Sequence, residues 1–140
     1  IAILKGPAMP STVSEIQAAD PALVAAHYAA RLSFETDCWD VHHALSTGVT
    51  DFVLVDVRGP QLFETAHVPG AINLPHGKMT ERKMGEWPDD TLFVVYCAGP
   101  HCNGTDRAAR RLARRGRRVK VMIGGMTGWA DEGFAVATGR

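Results

Sequence analysis

Cys97 closes residues 91–96 (TLFVVY), an apolar, β-branched run of the kind buried on both faces of a sheet. The next residues, Ala98, Gly99, Pro100, His101, Cys102, Asn103 and Gly104, are mostly turn formers, and a helical segment follows to about residue 115. In an open α/β sheet, ligands gather beyond the carboxyl ends of the strands. A loop entering a helix turns backbone N–H groups into the space in front of it. A thiol placed there is held as thiolate, the nucleophilic form. The plain alternative is a strand-end thiol that only packs, since free cysteine is commonly buried. Cys102 lies five residues further on. It is either a resolving thiol, taking sulfur from Cys97 or joining it in a disulfide, or a packed residue at the helix start, because spacing alone does not bring two sulfurs together. The Cys-x-x-Cys spacing of a thioredoxin-like motif is absent.

The other candidate groups have simpler readings. A cysteine phosphatase loop carries Arg six residues after its Cys. Asn103 stands there, and the first arginine is Arg107, so the fork that binds phosphate bidentately is missing. Asp56 and Arg58, at the end of residues 52–57 (FVLVDV), are expected to cap and pair near the carboxyl edge of the sheet, with substrate contact the lesser reading. His67 is expected to hold the turn into Pro69-Gly70, and Trp129 to anchor the last short helix. Cys38 and His42 share a helix face with His43 beside them, but no fourth ligand is near, so no metal is expected.

These residues need elements to position them. Asp20-Pro21 is a helix start, an N-cap followed by proline at the first helical position, and the Ala-rich segment to residue 32 continues it. Residues 32–35 alternate and predict a short strand. Thr36 or Asp37 caps a second helix to about Leu45, ended by Gly48. Residues 52–57, 71–74, 91–96 and 119–123 read as strands, with helices at 61–66, 104–115 and 127–132 between or after them, and Gly124-Gly125 breaks the last strand. Strands alternating with helices predict a parallel sheet with helices on both faces, an α/β domain.

The 140 residues fit one ordinary domain, with 46% apolar and 21% charged side chains, which excludes a disordered tail, a fibre and a coiled coil. Fifteen basic residues balance fifteen acidic ones. The balance is uneven: residues 107–120 carry eight basic side chains and no acid, which leaves a cationic face on an otherwise acidic chain. Ala108, Ala109, Leu112 and Ala113 form that helix's apolar stripe. The arginines are a solvated face, or Arg107 and Arg111 draw anions to the loop. The block is short and lacks interleaved aromatic residues, so nucleic acid is not an expected partner. Three cysteines are too few for a secreted disulfide framework and suit a reducing compartment. No run of apolar residues is long enough to span a bilayer, and residues 1–9 lack a signal-peptide pattern. The chain opens on Ile rather than Met, so loss of a preceding residue or segment is an expectation, and the cytoplasm is the default location.

Three stretches together resemble the rhodanese-like (sulfurtransferase) domain family: LVDVRGPQLFETAHVPGAINLP at 54–75, VVYCAGPHCNGTDRAARRLARRG at 94–116, and MIGGMTGWADEGF at 122–134. The resemblance implies a three-layer α/β/α domain with a central parallel sheet over residues 33–140, preceded by an extension (1–32) with an extra helix. That helix either covers the sheet edge or packs on a second copy, which makes a homodimer an expectation. The resemblance further implies that Cys97 takes sulfur from a small anionic donor such as thiosulfate. The persulfide is then cradled by backbone amides of Ala98, Gly99, Pro100, His101, Cys102 and Asn103, proline excepted as a donor. A cyanide or thiol acceptor collects the sulfur, without cofactor, metal or membrane. Asp56, Arg58 and Arg107 are candidates for support. The alternative is a catalytically quiet rhodanese-like module that binds a partner or senses redox state through Cys97 and Cys102. The chain departs from the family pattern in a longer loop before Ala108-Ala109, the missing Arg-Ser before that helix, a loop without Lys or Arg, and Ala66 where glycine usually precedes the motif histidine.

Overall fold

The computed structural model describes residues 9–140. The opening residues 1–8, within the stretch read for a signal peptide, lie outside the described residues. The chain divides into two compact units, Ile1–Arg31 and Leu32–Arg140.

The Asp20 carboxylate accepts the Ala22 amide at 3.2 Å and starts helix α1 (Pro21–Phe34), as the Asp-Pro signal predicts; residues 21–31 of the helix fall in the first unit. The helix runs two residues past the expected end, because Leu32-Ser33-Phe34 offers no breaker. Its residues are exposed throughout, Leu23 and Tyr28 among them.

The second unit is built on a five-stranded, all-parallel sheet in the order β1-β5-β4-β2-β3. The strands are β1 (Glu35–Asp37), β2 (Val53–Asp56), β3 (Ile72–Asn73), β4 (Leu92–Tyr96) and β5 (Arg118–Ile123). The first strand lies at 35–37 rather than 32–35. Its sequence, ETD, has no strand pattern, and it forms because Glu35, Thr36 and Asp37 pair with Val121, Met122 and Ile123 of β5. The helices of this unit are α2 (Cys38–Thr47), α3 (Pro60–Thr65), α4 (Glu81–Met84), α5 (Gly104–Arg114) and α6 (Gly125–Asp131). Asp37 caps α2 by accepting the Asp40 amide at 2.8 Å, and Gly48, at φ 75°, ends it. The 3₁₀ turn His76–Lys78 and the one-turn α4 are too short to show a period in the sequence, although Thr80 caps α4 through the Lys83 amide at 3.1 Å.

Period-two alternation along β2 and β4 sorts the core into two layers. Leu54, Val94 and Tyr96 pack with Cys38, Val41, Phe63, Met122 and Trp129 on one face. Val55, Val57, Phe93, Val95 and Cys97 pack with Met79, Met84, Ala108 and Leu112 on the other. Cys97 therefore belongs to the face covered by α5.

Candidate active site at Cys97 and Cys102

The site begins with β4, the central strand, whose residues Phe93–Tyr96 are buried on both sides. One residue past it, Cys97 is 6% exposed and turned toward α5. The chain then folds back: the Cys102 amide donates to the Gly99 carbonyl at 3.1 Å, and α5 starts after Asn103. This turn brings the two sulfurs together, and Cys97 and Cys102 are joined as a disulfide with Cα atoms 6.5 Å apart.

The first residue of α5 completes the arrangement. The Gly104 amide donates to Cys102 Sγ at 3.3 Å. A Cβ on Gly104 would stand 3.0 Å from Cys97 Sγ and 3.2 Å from Cys102 Sγ. Glycine thus lets the positive end of α5 close directly on both sulfurs. In the sequence Gly104 reads only as a helix start. Its signal is that it is the glycine at the junction between a two-cysteine loop and a helix.

The other side of the loop is pinned by the segment after β5. Met126 and Thr127 amides donate to the Cys97 and Ala98 carbonyls at 3.0 and 2.9 Å, and Thr127 Oγ1 also donates to the Ala98 carbonyl at 3.1 Å. Gly125, at φ 58°, presses so close that a Cβ there would collide with the Cys97 carbonyl oxygen. The Gly-Gly pair read as a strand breaker is therefore the seat of the cysteine loop, and α6 begins on it rather than at Thr127.

A cavity of about 850 Å³ opens beside the sulfurs. Cys97, Gly99, Pro100 and Cys102 line it together with the apolar Ala109, Val119, Val121 and Ile123, and its charged lining residues are Glu35, Asp106, Arg110 and Arg117. Of the expected loop residues, Ala98, His101 and Asn103 are exposed and do not line it. Ala98 acts through its carbonyl, and Asn103 accepts from Arg107 Nε at 3.3 Å.

Arg107 and Arg111 border a different space, a polar cavity of about 380 Å³ lined by His76 and Arg107, Arg110, Arg111, Arg114 and Arg115. Arg110 lines both cavities and Arg107 only the second, while Arg117 also lines the first. Arg117 acts structurally. Its guanidinium donates to the Met84, Trp87 and Pro88 carbonyls at 2.6 to 3.2 Å.

Asp56 and Arg58 form a buried ion pair at the end of β2, with Nη2–Oδ2 2.7 Å and Nε within 3.1 Å of both carboxylate oxygens. Arg58 also donates to the Ala66 carbonyl, and Asn73 Nδ2 donates to the Asp56 and Arg58 carbonyls at 3.1 and 2.8 Å. The pair clasps β2, β3 and the turn after α3, and does not line the sulfur cavity. Burial, and then the charge of Asp56, push the neighbouring Tyr96 hydroxyl well above its ordinary pKa, so it stays protonated and accepts the Val68 amide at 3.0 Å. His67 stacks on Phe63, places Nδ1 2.7 Å from the Phe63 carbonyl, and exchanges two backbone hydrogen bonds with Ala137.

Cys38 lies on the opposite face of the sheet. Its thiol points at the Ile123 and Gly125 carbonyls at 3.5 and 3.6 Å. Burial, with the charges of Asp37 and Glu132, raises it from the ordinary 9.0 to about 11. His42 stacks on Phe134 and His43 on Trp39, so the imidazoles beside Cys38 are engaged with rings. Among the described residues no His, Cys, Asp and Glu group is arranged to hold a metal ion. Among them, too, no helix is long and apolar enough to cross a membrane.

This arrangement can be set against known proteins. The model of the rhodanese-like domain family matches residues 40–132. The chain is 36% identical over 89 residues to the HTH-type transcriptional regulator Rv0324 of Mycobacterium tuberculosis, covering 64% of this chain and 39% of that protein. It is 30% identical over 98 residues to the adenylyltransferase and sulfurtransferase UBA4 of Meyerozyma guilliermondii, covering 66% of this chain and 23% of that one. The crystal structure of the BH2092 protein from Bacillus halodurans superposes with a TM-score of 0.82 at 34% identity, over 85% of this chain and 87% of the other. The chain belongs to the rhodanese-like domain family. It spans about two fifths of the regulator and less than a quarter of the sulfurtransferase.

Proposed function

We propose that this chain is a sulfurtransferase in which Cys97 accepts a sulfane sulfur from a small anionic donor such as thiosulfate and passes it, as a persulfide, to a thiol or cyanide. The observation that carries this reading is the place of Cys97: past the carboxyl end of the central strand, lining an 850 Å³ cavity, beside Cys102, whose sulfur takes the first amide of α5. Membership of the rhodanese-like family supports it, as does the sulfurtransferase named among its relatives. In this scheme the Cys97 thiolate attacks the outer sulfur of the donor. Sulfite leaves with the electron pair when the donor is thiosulfate, and the positive end of α5 holds the persulfide anion. Arg110 and Arg117, which line the cavity with Asp106 and Glu35, supply the cationic side chains that an anionic donor would meet there.

The test is intact mass and thiosulfate:cyanide activity on the reduced chain. Thiocyanate formation that is lost in Cys97→Ser, with an adduct of about 32 Da on Cys97 at the earliest times after donor addition, is the expected result for a thiolate sulfur carrier. The disulfide favours one second reading, a quiet redox-sensing module. A chain that takes no sulfur from thiosulfate, mercaptopyruvate or a persulfide donor, yet oxidises and reduces its pair reversibly, would decide for that module.

A further inference from the structure

The proposed sulfur transfer leaves Cys102 without a role, and the fold places it where a role is open to it. Its sulfur is in bonding contact with Cys97. It borders the same cavity, and it receives the amide of the first residue of α5. Gly104 keeps side-chain atoms out of the space between the helix and the two sulfurs. Cys97 itself is 6% exposed, so an external acceptor has to enter the cavity to reach it, whereas Cys102 is already there.

Resting on the sulfurtransferase reading, we propose that Cys102 is the first acceptor: it attacks the Cys97 persulfide from within the loop, so that the domain releases its sulfur as hydrosulfide and is reset by a dithiol reductant. In the step, Cys102 Sγ bonds to Cys97 Sγ and the bond from Cys97 Sγ to the outer sulfur breaks. The outer sulfur leaves with the electron pair and takes up the Cys102 proton. A persulfide anion and a thiol thus give a disulfide and one hydrosulfide anion. The sulfane sulfur is reduced by two electrons, and the two cysteine sulfurs supply them. The Cys97–Cys102 pairing in the structure has the connectivity that this step would produce. A dithiol then exchanges with it, leaving oxidised itself and restoring both thiols.

The experiment uses the whole chain, reduced with a dithiol, freed of reductant, kept free of oxygen and given one equivalent of glutathione persulfide. Released sulfide and intact mass are followed together. The wild type is expected to release close to one sulfide per chain and to end about 2 Da lighter than its reduced form, as disulfide formation requires. Cys102→Ser, and Cys102→Ala as a second variant, are expected to keep an adduct of about 32 Da on Cys97, to release sulfide at least tenfold more slowly, and to give up the sulfur to added cyanide. Wild type that keeps its persulfide, or variants that release sulfide as fast as wild type, would overturn the internal step while leaving the sulfurtransferase reading intact. Folded variants that take up no sulfur at all would overturn both.

Discussion

Cys38 and the Cys97–Cys102 pair lie on opposite faces of one sheet, and each has a helix N-terminus beside it. Their chemistry is nevertheless opposed. The Cys38 sulfur faces two carbonyl oxygens, with Asp37 and Glu132 near, and these together with burial hold its proton. Cys102 faces an amide donor and Cys97 faces a second sulfur and a cavity. A helix start therefore does not by itself make a reactive thiol. The sign of the groups that reach the sulfur, and open space beside it, decide.

The largest effect should come from exchanging one cysteine on each face. Cys97→Ser is expected to lower sulfur transfer by about a thousandfold or more, to background, as loss of a nucleophile does. Cys38→Ser is expected to leave the rate per folded molecule within about twofold, because its sulfur lies on the other side of the sheet. Initial rates with thiosulfate and cyanide check both, and equal losses in the two variants would remove the distinction between the faces.

Next comes the clasp at the end of β2. Arg58→Met leaves the Asp56 carboxylate buried without its partner, and a loss of about 3–5 kcal/mol in urea unfolding is expected. Activity of the molecules that remain folded should change far less. A variant with normal stability and a collapsed rate would move Arg58 into the reacting site.

Gly104→Val acts on the sulfurs from the helix side. Its side chain has to displace sulfurs that already stand 3.0 and 3.2 Å from a Cβ position, at an overpacking cost of about 1–3 kcal/mol. Formation of the Cys97–Cys102 disulfide in a glutathione redox buffer is expected to slow about tenfold or more on this account. Unchanged disulfide kinetics would mean that α5 does not set the approach of the two sulfurs.

The remaining effect is in pH. The unfolded Cys38 thiol ionises near 9.0 and the folded one near 11, so the folded chain keeps a proton that the unfolded chain has lost. Stability that is fully present below pH 9 is therefore lost as pH rises from 9 through 11. In Cys38→Val this part of the pH dependence should vanish, as denaturation at pH 8, 9.5 and 11 would reveal.

Much of this fold is written in local patterns. The apolar, β-branched runs at 52–57 and 91–96 carry the signature of strands covered on both faces, and Asp20-Pro21, Thr36 or Asp37, and Gly48 mark helix ends through their own backbone chemistry. The edge strand Glu35–Asp37 is hidden in the sequence because pairing with β5, rather than any apolar pattern, makes it a strand. Cys97 is legible as the candidate nucleophile from a strand, a turn-rich loop and a helix in succession. Gly104, Gly125 and Thr127 are not, since their importance lies in what they approach across the fold.

The sequence by itself determined the alternation of strands and helices, the position of Cys97 at a strand end and the concentration of positive charge on α5, because these depend on residue type and near neighbours. Only the tertiary structure decided that Cys102 meets Cys97, that Arg110 rather than Arg107 borders their cavity, that Asp56 and Arg58 clasp the sheet, and that Cys38 keeps its proton. Each of these depends on groups brought together by the folded loops and sheet, and on how far burial has removed water from between them.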